Sequence, residues 1–141
     1  MTRIEFIYNV KNKMEKSAEL CEKALLKGHK LTIITQNETM SREVQNLLWQ
    51  YSATSFLPNN MGNDIYANFS PILIHETSLN FLQDDVLINL QMEPPTFYGR
   101  FRYLVELVGC DDEDKVAARA RFRFYKERGY EIKSTDSNEK K

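Results

Sequence analysis

Side chains able to do chemistry are few in this chain of 141 residues. Its two histidines, His29 and His75, lie far apart. His29 follows Gly28 at a helix end, where an imidazole interacts with the exposed carbonyls. His75 stands beside Glu76, a pair suggestive of acid–base or ligand chemistry. Adjacent residues of a strand point to opposite faces, however, so the two would not converge. Cys21 and Cys110 form neither a C-x-x-C pair nor a zinc-ligand spacing. They are expected as reduced thiols in a cytoplasmic protein. No G-x-S-x-G elbow presents a serine nucleophile. Asp111, Asp112, Glu113 and Asp114 suggest a divalent cation, but they stand where a helix begins. There the macrodipole favours anions, and they are read as helix-start charge. No catalytic residue, metal or cofactor is expected.

The elements that would position any site follow from periodicity. Arg3–Val10 is short, β-branched and aromatic, which predicts a strand. A helix follows, with Asn12 as N-cap, Glu15 at capping-box spacing and Met14, Ala18, Cys21 and Leu25 on one face. Gly28 ends it. Lys30–Thr35 predicts a strand buried on both faces. A second helix runs to Tyr51 on a stripe of Val44, Leu47, Leu48 and Tyr51. Residues 52–68 are irregular. Strands are predicted over 71–75, 85–90 and 103–108, with a helical or turn segment near 97–102 and a last helix over 112–128 closed by Gly129. The alternation predicts one α/β domain over 1–132, with a mostly parallel twisted sheet and helices on both faces. Residues 133–141 contain no apolar side chain after Ile132 and are expected to be a disordered tail.

This Rossmann-like order raises the question of a nucleotide. The first strand-to-helix connection, Asn9 to Lys13, has no glycine, so its amides cannot readily wrap a phosphate. The formal net charge of -1 argues against a general polyanion binder. No run approaches the roughly 18 apolar residues of a membrane span.

Two segments carry side chains that a simple core leaves unexplained. Trp49 lies off the stripe of its helix and precedes Phe56, Leu57 and Pro58, the composition of a docking surface. The competing reading is a loop that folds back over Trp49. In the last helix, Lys115, Arg119, Arg123 and Lys126 form a basic stripe with Phe122 at its edge. Val116, Ala117, Ala120 and Phe124 are assigned to the core side, with Arg121 and Arg128 adding charge nearby. A solvated face explains such a stripe; so does a site for an acidic peptide with an apolar end.

These segments resemble the chi subunit family of bacterial DNA polymerase III. The likeness covers the Leu48–Asn60 block with its S-F-L-P-N-N run, the D-V-L-I-N-L strand and, most specifically, A-R-A-R-F-R-F-Y-K-E-R-G-Y over 118–130. The resemblance implies a non-catalytic accessory subunit of the clamp-loader complex. It would bind the psi subunit, or a helicase using the same surface, through Trp49, Phe56, Leu57 and Pro58. It would also bind the acidic, Phe-terminated tail of single-stranded DNA-binding protein (SSB) through Arg119, Phe122 and Arg123, with Val108 and Gly129 shaping the site. Contact with single-stranded DNA would be indirect, through SSB. The family often has Tyr where this chain has Phe122, and P-H-N where it has Pro58-Asn59-Asn60. A different class of function is a small α/β domain that takes a nucleotide or other small ligand at the carboxyl ends of its strands.

Overall fold

The computed structural model describes residues 2–50, 60–61, 72–75, 84–95 and 98–137. Strand β1 (Arg3–Val10) leads into helix α1 (Lys13–Leu26), whose N-cap Asn12 accepts from the Glu15 amide at 3.1 Å. The two side chains also meet: Asn12 Nδ2 donates to Glu15 Oε2 at 3.2 Å. Gly28 follows in the left-handed region, φ 82°, as a helix C-terminus requires. Strand β2 (Leu31–Ile34) is buried at every position. Helix α2 (Glu38–Gln50) begins with the Asn37 side chain accepting from the Met40 amide at 2.8 Å. The remaining elements are strands β3 (Asn60–Met61), β4 (Ile72–His75), β5 (Val86–Asn89) and β6 (Tyr103–Gly109), helix α3 (Asp112–Glu127) and strand β7 (Ile132–Asp136). A 3-10 turn at Tyr98–Arg100 precedes β6.

Among the described residues the sheet has seven strands in the order β3-β4-β2-β5-β6-β1-β7, and every pairing is parallel. One face carries α1 and α2 over Ile7, Leu31, Ile33, Ile74, Ile88 and Val105. The other carries α3 over Ile4, Phe6, Leu87, Leu104 and Val108. Period-two alternation sends neighbouring strand residues into the two cores, which is why the inner strands are apolar almost throughout. No helix of the described residues is long and apolar enough to cross a membrane.

Two expectations are corrected. Residues 133–136 are not a disordered tail: with Ile132 they form β7, whose residues Ile132 to Asp136 pair with Ile4 to Tyr8 of β1. A strand at the sheet edge gains its stability from backbone ladder bonds and needs little apolar content, so hydrophobicity alone misses it. The remainder of that segment, 138–141, lies outside the described residues. The core side of α3 also differs. Val116 is 61% exposed and Ala120 is exposed, while Asp114, Ala118, Arg121 and Tyr125 face inward. The helix is turned by polar chemistry, because its inward stripe must meet a carboxylate in the sheet.

That carboxylate is Glu106, fully buried in the middle of β6. Arg121 Nε donates to one oxygen at 2.8 Å and the Tyr125 hydroxyl to the other at 2.5 Å. Asn89 Nδ2 of β5 donates to both, at 3.1 and 3.0 Å. Arg121, only 1% exposed, also donates to the Met92 carbonyl at 2.9 Å. Burial is the largest influence on the Glu106 carboxyl and pushes it up; the Arg121 charge and the Tyr125, Asn89 and Arg121 hydrogen bonds oppose that rise. A second polar link closes the start of α3. Asp114 accepts from the Gly109 amide and from Lys13 Nζ at 3.0 Å. A Cβ on Gly109 would stand 3.0 Å from Asp114 Oδ2, a tight approach that a larger residue could make only if the Asp114 carboxylate shifted. Burial works against ionised Asp114, but the Gly109 amide and then Lys13 outweigh it and hold the carboxyl below its ordinary value.

Arg121→Ala leaves a buried carboxylate without its counter-charge, and is expected to cost about 3–5 kcal/mol in urea unfolding. Tyr125→Phe, which removes only a donor, should cost about 1–3 kcal/mol. Asp114 has a lowered folded pKa. Its contribution is therefore complete above its unfolded value of about 3.9 and is lost as pH falls through the lower folded value. Unfolding curves from pH 7 to pH 3 should show Asp114→Asn less stable at pH 7, with the gap to the parent narrowing in that acid window.

Candidate functional site: a cavity between α3 and the β1 edge

A cavity of about 400 Å³ opens where α3 passes over β1, β6 and β7. Phe6, Val108, Ala118 and Phe122 supply apolar lining, and Lys115 and Arg119 stand beside it on α3. Tyr8 and Asn9 of β1, Gly109 of β6 and Ser134 of β7 complete it. Phe122 is held edge-on against Phe6, with ring centroids 5.4 Å apart at 64°, and stays partly exposed. Once Arg121 and Tyr125 point inward, a 100° advance per residue carries Lys115, Arg119 and Phe122 to the same flank of the helix. Asn9 shapes the opposite rim. Among the described residues it is the non-glycine residue with positive φ, 62°, and it sits in a β-bulge where the β1–β6 register shifts between Ile7 and Val10. Asparagine tolerates this conformation better than a β-branched residue. Its side chain donates to Asp136 of β7 at 3.2 Å.

Four of the predicted residues, Val108, Lys115, Arg119 and Phe122, therefore meet in one place. Arg123, Lys126 and Gly129 are exposed and lie outside the cavity lining. Arg123 sits on the side of α3 opposite the core line, and Gly129, φ 87°, ends the helix. Sequence reasoning missed Phe6, Tyr8, Asn9, Gly109, Ala118 and Ser134. For the first two a signal existed: β1 alternates, and Phe6 and Tyr8 share a face. Ser134 had none, since it lay in the supposed tail. On the other side of the molecule Trp49 is 39% exposed while Val44 and Leu48 are buried, as its displacement from the stripe predicts. Phe56, Leu57 and Pro58 lie outside the described residues.

The remaining sequence candidates lie apart from one another. Cys21 is buried and its thiol is pushed up to about 12 by desolvation, which makes it inert near neutrality. His29 contacts Asp85 at 3.0 Å near the α1 C-terminus. His75 ends β4. Among the described residues, no three His, Cys, Asp or Glu side chains converge as a metal site would require. Between the carboxyl ends of β1 and β6, α1 and α3 leave for opposite faces, the switch point at which parallel α/β sheets bind ligands. The crevice there, about 530 Å³, is lined by Met14, Met40 and Met92 and is bridged by the Lys13–Asp114 ion pair. The acidic first turn of α3 borders it, an unfavourable setting for a phosphate.

Residues 1–133 match the family model described as DNA polymerase III chi subunit, HolC. The chain is 29% identical to DNA polymerase III subunit chi of Pseudomonas aeruginosa over 136 residues, 94% of each chain. It is 32% identical to the subunit of that name in Haemophilus influenzae over 106 residues, 74% of each. The corresponding Escherichia coli subunit is 26% identical over 106 residues, 74% of this chain and 72% of its own. A match over nearly the whole fold, including the strands and helix that build the α3 cavity, makes this chain a member of the DNA polymerase III chi subunit family, replication accessory subunits.

Proposed function

We propose that this chain is a non-catalytic accessory subunit that couples the clamp loader to SSB on single-stranded DNA, and that the α3 cavity receives the acidic, Phe-terminated SSB tail. The observation that carries this reading is the pairing of an apolar recess with Lys115 and Arg119 at one rim. A terminal phenyl ring gains from burial against Phe6, Val108, Ala118 and Phe122, and edge-to-face contact with Phe122 adds to it. The tail's carboxylates gain charge-assisted hydrogen bonds from the guanidinium and ammonium groups, the guanidinium in bidentate fashion where geometry allows. Phe122 contributes surface here but no hydroxyl. Arg123 and Lys126 act at longer range, as part of the field that draws an anionic peptide in. The small-ligand reading finds less support, since the switch-point crevice already holds an internal ion pair and an acidic helix start.

The exposed indole of Trp49 is assigned to a second surface, for psi or a helicase that uses the same side. It lies on α2, across the sheet from α3. The two partners can therefore bind together, which an adaptor requires.

A peptide of the cognate SSB tail should bind, and calorimetry on Arg119→Ala should show a loss of about 1.5–3 kcal/mol. Arg123→Ala should stay within about 0.5 kcal/mol. Affinity should fall with salt but persist, because screening acts on the exposed charges and not on the buried ring. Unchanged binding in an Arg119→Ala, Phe122→Ala double variant would remove the site. Trp49→Ala should abolish capture of psi, leave the peptide affinity within about 0.5 kcal/mol and leave the melting temperature nearly unchanged. A large fall in melting temperature with loss of both partners would place the indole in the fold and not in an interface.

A further inference from the structure

A larger depression lies on the other face of the sheet, independent of the α3 cavity. It measures about 700 Å³ and runs between α1 and the strands β1, β6 and β7. Alternation puts it there: Arg3, Glu5, Tyr103 and Lys133 line this side, whereas Phe6, Tyr8, Val108 and Ser134 line the other. Its walls carry six Lys and Arg residues (Arg3, Lys16, Lys23, Lys27, Arg102, Lys133) against three Asp and Glu residues (Glu5, Asp85, Asp136), a surplus of three positive charges. The whole chain has a net charge of -1, so basic charge is concentrated in this groove.

The cations form two facing rows. Lys16, Lys23 and Lys27 are separated by seven and four residues, which aligns them along one side of α1 over about 16 Å. Arg3, Arg102 and Lys133 line the sheet wall, where the Arg3 amide donates to the Arg102 carbonyl at 3.0 Å. Lys16 and Lys23 reach Glu19, at 2.7 and 3.5 Å. Among the described residues, Arg3, Lys27, Arg102 and Lys133 have no carboxylate at ion-pair distance. The Glu5 carboxylate is taken up by the Tyr103 and Thr135 hydroxyls, at 2.5 and 2.6 Å.

We propose that this groove holds the phosphate backbone of a single-stranded nucleic acid, a direct contact in addition to any made through a protein partner. A polymer with a charge at every repeat suits cations on both walls along the groove's length. An acidic peptide would need a recess for an anchoring side chain, and the floor residues Ile7, Leu31, Ile88 and Val105 are all closed off in the core. Tyr103 is the aromatic residue of the lining, so there is no row of stacking platforms. The contact would read the backbone and not the bases.

Fluorescence anisotropy with the full chain and a labelled oligo-dT of about 20 nucleotides tests this, since such sites span about 4–16 nucleotides. Binding should weaken with salt at a log–log slope of about -0.7 per phosphate contact. Joint replacement Arg3→Gln, Lys27→Gln, Arg102→Gln and Lys133→Gln should lower affinity at least about tenfold and flatten the slope by about 0.7 per cation removed. Lys115→Gln with Arg119→Gln should leave it unchanged, and oligo-dA should bind within about twofold of oligo-dT. Circular dichroism checks folding; if the four-site variant does not fold, Lys27→Gln with Lys133→Gln replaces it, with half the change in slope. No binding at low salt, an equal loss in the α3 variant, or binding of polyglutamate but not of the oligonucleotide would each overturn the proposal.

Discussion

A carboxylate buried in a sheet core is tolerated only when its counter-charge and donors are held in place, and Glu106 is such a group. Desolvating both Glu106 and Arg121 is costly. Their attraction offsets that cost only while Tyr125 and Asn89 complete the hydrogen bonds. The network joins β5, β6 and α3, and through the Met92 carbonyl it also fixes the segment after β5. An apolar contact would let the helix rotate a little and repack. A set of directional bonds to two oxygens admits one rotational setting. The Phe6, Tyr98 and Tyr125 rings pack around this node, with Tyr98 and Tyr125 centroids 5.0 Å apart at 71°.

The cavity beside α3 is a consequence of that setting. With Arg121 and Tyr125 pointing inward, Lys115, Arg119 and Phe122 take one flank and Phe124 the other. There Phe124 packs under the Arg128 guanidinium, 3.5 Å from its ring centroid. The β1 bulge at Asn9 and the edge strand β7 then form the far wall. The walls of this cavity, three strands and a helix, belong to elements fixed elsewhere in the fold.

Much of the fold was legible because local rules agreed: the Asn12 cap, Gly28, the apolar runs of β2 and β5, and the acidic start of α3 each fell where expected. The failures share a cause. Hydrophobic periodicity assigned Val116 and Ala120 inward and left Arg121 as charge beside the basic stripe, since a pattern of apolar residues carries no information about a polar partner on another element. The available signal was Glu106 itself, a charge in the middle of an apolar strand that must find a cation. For β7 the stabilising term was backbone pairing with β1, to which side-chain hydropathy is blind. Charge and aromatic spacing singled out Lys115, Arg119 and Phe122, which line one cavity. The contributions of β1 and β7 depended on strand order, which separates β1 from β2 by β5 and β6 and places it next to the edge.

The proposed anion site on α3 faces one electrostatic difficulty. The helix opens with four acidic residues, and Asp114 adjoins Lys115 in sequence. A free carboxylate there would repel the acidic peptide proposed to meet Lys115 and Arg119, over a distance well within the Debye length. Asp114 instead turns inward, where the Gly109 amide and the Lys13 ammonium take its charge. Lys13 comes from α1, on the opposite face of the sheet, and reaches Asp114 past the carboxyl ends of β1 and β6. The ion pair that bridges the switch-point crevice therefore also neutralises the acid next to Lys115. The same ion pair thus occupies the switch-point crevice and leaves Lys115 and Arg119 less offset by a neighbouring acid, as the proposed anion site requires.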